Sequence, residues 1–221
     1  MAPDPLGAAA AALLDRSGLG LRAPVAFEGR AAVLVGNTRA LWPPFVAWLR
    51  GEPARVDTAN PLDAFVAERL AAALRLTMTP VERVIAPYER DAPDFIGLSE
   101  RAGLLRRGAG GLGVHPVYGP WVALRALIVH DTPASTAGFP EQNAAPAPPC
   151  PHCATACGPA FAALTPPRTE VEFRAPGTWE AWAAARAACP LGAEHRYDAD
   201  QLRYHYTHDH EILRRLAHAS P

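Results

Sequence analysis

Hydrophobic positions recur along this chain in two periods. Leu62, Phe65, Val66, Leu70, Ala73 and Leu74 repeat at three- and four-residue spacing behind Asn60-Pro61. That pattern predicts a helix capped by Asn60, opened by Pro61 and packed on a core by one face. Asp4-Pro5 gives the same start to an Ala-rich helix over residues 5–16 that stops near Gly18. Leu41 to Leu49 reads as a helix with Pro43-Pro44 near its start, and Asp91-Ala92-Pro93 opens another that runs to about Arg107. Thr178–Ala188 and Asp198–Ala217 are the two helices expected to close the chain. Strands are short apolar runs. Ala31 to Gly36 and Trp121 to His130 are the clearest, with weaker ones at Pro24–Phe27 and Val81–Ala86. The strands and helices do not alternate in a clean βαβ rhythm and no repeat is visible, which favours an α+β fold over a doubly wound sheet.

With 221 residues, the chain is long enough for one ordinary domain with a core of its own. Residues 1–132 carry most of the patterning, 133–170 are a Pro- and Cys-rich excursion, and 171–221 complete the same domain with helices. Hydrophobic residues at 49% and charged residues at 19% fit a globular chain. A formal net charge of −1 argues against nucleic acid or an anionic membrane as the main partner. No apolar run approaches the roughly 20 residues of a membrane span. Asp4 rather than a basic residue precedes the apolar stretch Leu6–Leu14, so a secretory leader is not expected and a cytoplasmic location is. Every basic residue is Arg.

Three features carry candidate chemistry. Gly108-Ala-Gly110-Gly111-Leu-Gly113 has G-x-G-x-x-G spacing. It follows a helix and runs into Val114 and His115-Pro116, so it reads as a tight turn or a place of close approach rather than a dinucleotide fingerprint. Cys150-x2-Cys153-x3-Cys157, joined by Cys189, has spacing that suits zinc or an iron–sulfur cluster, with redox thiols as the alternative. Arg125 stands inside an apolar strand, where a buried guanidinium needs an anion or a carboxylate. His205, His208 and His210, with Asp209, form a second candidate metal patch, with a solvated face of an exposed C-terminal helix as the favoured reading.

His115-Pro116-Val117-Tyr118-Gly119-Pro120-Trp121-Val122-Ala123-Leu124-Arg125 resembles the H-P-x-F-G-x-W-F-A-x-R stretch of the cobalamin-processing CblC (MMACHC) family. Trp179-x2-Trp182, Arg186 and Glu194-His195-Arg196-Tyr197 with Gln201 and Tyr204 stand in the order of that family's C-terminal motifs, with one-residue offsets at Arg186 and Glu194. A secondary resemblance is to the N-terminal domain of epoxyqueuosine reductases, through Asp91-Ala92-Pro93, Arg101-Ala102-Gly103-Leu104 and Gly119-Pro120-Trp121. Cys189-Pro190-Leu-Gly192-Ala193 is similar to the C-P-T-G-A that ends a ferredoxin motif in those enzymes.

The CblC resemblance implies a flavin-reductase-like (nitroreductase-type) fold, with a mixed, mostly antiparallel sheet flanked by helices. It implies binding of cobalamin with the lower base displaced, reductive decyanation with FMN or FAD, and dealkylation onto a thiol such as glutathione. An electron donor or a cobalamin acceptor protein is then a further partner. Arg125 matches the arginine that holds a glutathione carboxylate, and Arg186 is a candidate for the same anion. Gly111, Gly113, Val114, His115, Tyr118, Gly119, Trp121, Trp179, Trp182 and Tyr197 become candidate corrin contacts. The family's cobalt-capping histidine falls near Glu100, where no histidine stands. Cys150, Cys153, Cys157 and Cys189 are candidate ligands for one 4Fe–4S cluster or zinc, which would bring the chain nearer an iron–sulfur corrinoid reductase. A non-catalytic corrinoid carrier is the other alternative.

Overall fold

In the computed structural model, residues 6–135 and 152–219 are described. The chain opens with α1 (Ala8–Arg16), then a hairpin of β1 (Leu21–Phe27) and β2 (Arg30–Asn37). Helices α2 (Trp42–Gly51) and α3 (Pro61–Leu74) follow. Both carry proline in the first turn, where no intrahelical N–H bond is lost. Next come β3 (Val81–Ile85), α4 (Phe95–Arg101) and two short strands, β4 (Arg106–Arg107) and β5 (Gly113–Val114), which pair around the glycine-rich turn. The long strand β6 (Ala123–Pro133) leads to α5 (Gly158–Ala162), α6 (Glu170–Arg174), α7 (Thr178–Ala187), α8 (Ala199–Thr207) and α9 (His210–His218).

Four strands form the central sheet, in the order β1-β2-β6-β3, and every described pairing is antiparallel. The expected mixed sheet is therefore corrected. The connection through α2 and α3 does bring β3 parallel to β2, but β6 lies between them and makes each adjacent pair antiparallel. Because β2 and β6 are central, both their faces are buried. Val33, Val35, Ala126 and Ile128 pack under α1, α2, α3 and α9. Ala32, Leu34, Leu127 and Val129 pack against Phe95 and Leu98 of α4 on the opposite face. The α3 stripe is buried as its spacing predicts, with Leu74 partly so.

Two helix boundaries differ from expectation. The helix predicted from Asp91 to Arg107 starts after Asp94, whose Oδ1 accepts from Gly97 N at 3.0 Å, and it ends before Gly103, which has φ 68°. The single helix predicted over 198–217 is two helices, α8 and α9. His208 adopts φ 52° between them, and Asp209 caps the second by accepting from Glu211 N at 2.9 Å. The start expected at Asp4-Pro5 lies outside the described residues. Among the described residues, no helix is long and apolar enough to cross a membrane.

Candidate functional site

A break in strand register builds the site. Along β2, Val35 faces Ala126 and the next residue, Gly36, faces Leu124. Strand β6 thus carries one extra residue, Arg125, and such a bulge re-aims its side chain. Gly36 makes this possible, because a Cβ there would lie 2.6 Å from Ala123 O. The freed guanidinium donates Nε–H to Asn37 Oδ1 at 2.6 Å, and its Nη1 lies 3.9 Å from Asp63 Oδ1. Asn37 is fully buried at the end of β2. Burial is the largest influence on Arg125 and lowers its proton affinity, while Tyr197 and Asp63 oppose that shift.

Arg125 projects into a cavity of about 620 Å³, lined also by Asp63, Tyr88, Arg174, Arg186, Tyr197, Tyr204, His205 and His208. A second, mostly apolar cavity of about 280 Å³ shares Asp63, Tyr88 and Arg125 and extends along Val66, Leu70 and Leu74 of α3. Arg186 is 9% exposed and comes from the inner face of α7. Its Nε donates to Pro120 O at 3.0 Å, and the guanidinium carbon lies 4.8 Å from the Trp121 ring centroid and 5.0 Å from that of Tyr197. Among the described residues no carboxylate forms an ion pair with Arg186. A buried guanidinium held by carbonyls and rings, with no acid, leaves positive potential for an incoming anion.

Helix α8 supplies the remaining wall. Gln201, Tyr204, His205 and His208 are spaced three, four and seven apart and share a face. Tyr204 is buried, which pushes its hydroxyl up to about 12 and keeps it a protonated donor. His205 is held well below the usual histidine value by burial first and then by Arg125, Arg186 and His208. His208 is also lowered, mainly by burial, and its Nδ1 lies 3.0 Å from Arg174 Nη2. His205 therefore turns from the solvated face that the spacing suggests, whereas His208, one residue past the end of α8, is exposed. Of these cavity residues, Arg174 was missed in the sequence, Tyr204 was noted only as part of a motif, and His205 and His208 were not placed at this cavity. The usable signal was the polar stripe at helical spacing, which a core-facing helix would normally fill with apolar side chains.

Of the predicted contacts, Arg125, Arg186 and Tyr197 meet in this cavity. Trp121 is buried behind it, its ring 5.6 Å from Tyr197. Trp182 lies 5.8 Å from Phe161 and 5.9 Å from Phe173, and Trp179 lies 6.2 Å from Tyr206, so both belong to an aromatic cluster around α6 and α7. His115 Nδ1 accepts from Val117 N at 3.1 Å and Tyr118 N at 3.2 Å, which closes the His-Pro turn; the Tyr118 ring lies between those of His115, tilted, and His195, edge-on, with centroids 4.8 Å from each. Burial lowers His115's proton affinity, helped by His195. Gly111, Gly113 and Val114 sit on the β4–β5 hairpin, where Gly110 and Gly111 have φ 66° and 75°.

That hairpin packs on the cysteines. A Cβ on Gly110 would lie 2.6 Å from the Phe161 ring, so the glycines admit α5 at close range. Cys157 Sγ lies 3.8 Å from Cys153 Sγ and 3.8 Å from His152 O, within a single π-helical turn, Cys153–Cys157. Cys157 and Cys189, far apart in sequence, line one cavity of about 10 Å³ with Val114, Pro120 and Arg186. Cys150 lies outside the described residues. Among the described residues, no group of three or more His, Cys, Asp or Glu is positioned to hold a metal ion.

The overall fold has a solved counterpart. The fold is similar to that of CblC. The C. elegans B12-trafficking protein CblC, a human MMACHC homologue, superposes with a TM-score of 0.53 at 16% identity, covering 88% of this chain and 82% of that one. No known family profile matches the sequence, and no curated protein matches it. The likeness to CblC is thus one of fold.

Proposed function

We propose that this protein binds a cobalamin in the cavity of Arg125, Arg186, Tyr197 and Tyr204 and removes its upper axial ligand. The observation that carries this reading is the CblC-like fold with two buried, incompletely compensated arginines at one cavity. Chemically, a low-molecular-weight thiol such as glutathione offers carboxylates to Arg125 and Arg186. Its thiolate sulfur attacks the alkyl carbon, a carbon–sulfur bond forms, and the cobalt–carbon bond breaks with its electron pair left on cobalt. The thiol proton passes to solvent. For a cyano ligand, a reduced flavin (FMN or FAD) or a partner protein supplies the electrons and cyanide departs. The protein's own contribution is orientation, anion binding and exclusion of water. The test is a titration with hydroxocobalamin, in which the visible band should shift to the blue as the lower base is displaced. No spectral change at micromolar concentrations overturns the corrinoid reading. Stoichiometric binding without ligand loss, on adding reduced flavin or thiol, makes the protein a carrier.

A second reading concerns Cys150, Cys153, Cys157 and Cys189, proposed as ligands of one thiophilic ion. The approach of Cys153 and Cys157 and the shared wall of Cys157 and Cys189 support it. Two thiolates at about 2.3 Å from a tetrahedral zinc lie roughly 3.8 Å apart. The 3.8 Å spacing is compatible with zinc, less so with a 4Fe–4S cluster, in which each thiolate binds a different iron; it is equally that of a thiol–thiol hydrogen bond, and among the described residues no three ligands converge on one point. Metal analysis of anaerobically purified protein tests this; an iron–sulfur absorption band would reverse the preference and favour a corrinoid reductase.

A further inference from the structure

Strand β2 is buried from Ala31 to Asn37, and Asn37, with no exposed surface, is its one polar side chain in that run. An amide in such a place is costly unless both its ends are bonded. Both are. Oδ1 accepts Nε–H of Arg125 at 2.6 Å, and Nδ2 donates to Thr38 O at 2.9 Å. Turning the amide over would set donor against donor at one end and acceptor against acceptor at the other. The two contacts therefore fix the amide, and the amide fixes one edge of the guanidinium.

That edge meets no acid. Among the described residues Asp63 is the carboxylate paired with Arg125, and at 3.9 Å it lies beyond hydrogen-bond distance, with its side chain 30% exposed. The N–H groups of Nη1 and Nη2 have no hydrogen-bond partner among the described residues. The Arg125 side chain keeps 15% of its surface open, and it lines the large cavity. A carboxylate in place of the Asn37 amide would pair with the guanidinium and cancel its charge. The neutral amide holds it at the same edge and leaves the charge to a ligand. We propose that Asn37 is a positioning and specificity residue. It holds Arg125 so that the Nη groups meet a carboxylate of the incoming thiol, and by its neutrality it makes the cavity select anionic thiols over uncharged ones. This inference rests on the reading of Arg125 as the anchor of that thiol.

The experiment compares glutathione with uncharged 2-mercaptoethanol in the anaerobic demethylation of methylcobalamin, followed by the absorption of cob(I)alamin. Asn37→Asp keeps the size and shape of the side chain. It should raise the KM for glutathione roughly ten- to a hundredfold, the worth of a hydrogen bond to a charged group. The KM for 2-mercaptoethanol and both kcat values should stay near those of wild type. Calorimetric titration with S-methylglutathione, the product, which needs no turnover to bind, should show the same loss of affinity. Asn37→Ala adds no charge and covers the case in which Asn37→Asp does not melt cooperatively. Without its anchor Arg125 should hold glutathione less tightly, again with 2-mercaptoethanol near wild type. KM values that rise in equal proportion for the two thiols, or that rise in neither variant, overturn the inference and leave the thiol reading standing. Wild-type protein that shifts the hydroxocobalamin band, yet demethylates with neither thiol and binds no S-methylglutathione, overturns both.

Discussion

Arg186 stands between two regions of opposite character. On one side is the large cavity, where buried cations have little counter-charge and Tyr197 and His205 have unsatisfied polar atoms. On the other is the cysteine corner, where Cys157 and Cys189 are 3% and 2% exposed around a space of about 10 Å³. That space is about one water probe, too small for an organic ligand. Natural interiors seldom tolerate the polar debts of the first region without a bound partner to settle them. The second region needs only good packing, or an ion small enough to sit among sulfurs. The same guanidinium therefore faces a binding site on one side and a structural joint on the other.

The joint is the place to break first. Gly119 and Gly192 approach backbone to backbone: a Cβ on Gly119 would lie 1.9 Å from Leu191 O, and one on Gly192 would lie 2.2 Å from Tyr118 C. Both have positive φ, 57° and 65°. Gly119→Ala or Gly192→Ala is expected to cost more than about 4 kcal/mol, read as loss of the cooperative melt. A variant that melts normally would show that the two regions are not locked together.

Next in size is Arg125→Ala. Losing a charge-assisted contact to a thiol carboxylate is worth about 1.5–3 kcal/mol, roughly ten- to a hundredfold in thiol-dependent dealkylation. The base-off band shift should change far less. If Arg125→Ala unfolds, the contacts to Asn37 and Asp63 are what matter, and Arg125→Lys, which keeps the charge, should then restore folding.

Cys189→Ser separates the regions. It should lower the melting temperature, and release the zinc of the second reading proposed above, while cobalamin still shifts the visible band, because the cysteine corner lies behind Arg186. Loss of the band shift together with the metal would make the corner part of the cofactor site.

The smallest effect is in pH. His205 has a depressed folded-state value, as do His115 and His208, each mainly through burial. Above about pH 6.5 these rings are neutral in both states. As pH falls through that value the unfolded chain takes up protons that the native rings refuse, so stability declines until the native rings also protonate. His205→Phe should flatten this slope in urea titrations between pH 7 and 5, and an unchanged slope would place the effect on the other two histidines.

Much of this architecture is written in local pattern. The α3 stripe, β2 and β6 follow from hydrophobic period alone, since burial on one or both faces dictates where apolar residues recur. Arg125 stood out because a charge in an apolar strand is costly. The boundary at Asp94 was missed because Asp91-Ala92-Pro93 offers an equally good local cap three residues earlier, and only packing of Phe95 and Leu98 under the sheet selects between them. Likewise, nothing local marks His208 as the left-handed break between α8 and α9.

The chain's own sequence determined the secondary elements, the buried strands and the charge that had to be satisfied. Tertiary structure alone decided that His205 and Tyr204 face the cavity rather than water, and that Cys189 meets Cys157. Periodicity fixes which residues share a face, but what that face meets depends on contacts between segments far apart in the chain. The bulge that turns Arg125 into the cavity, for example, requires Gly36 from a strand some ninety residues earlier.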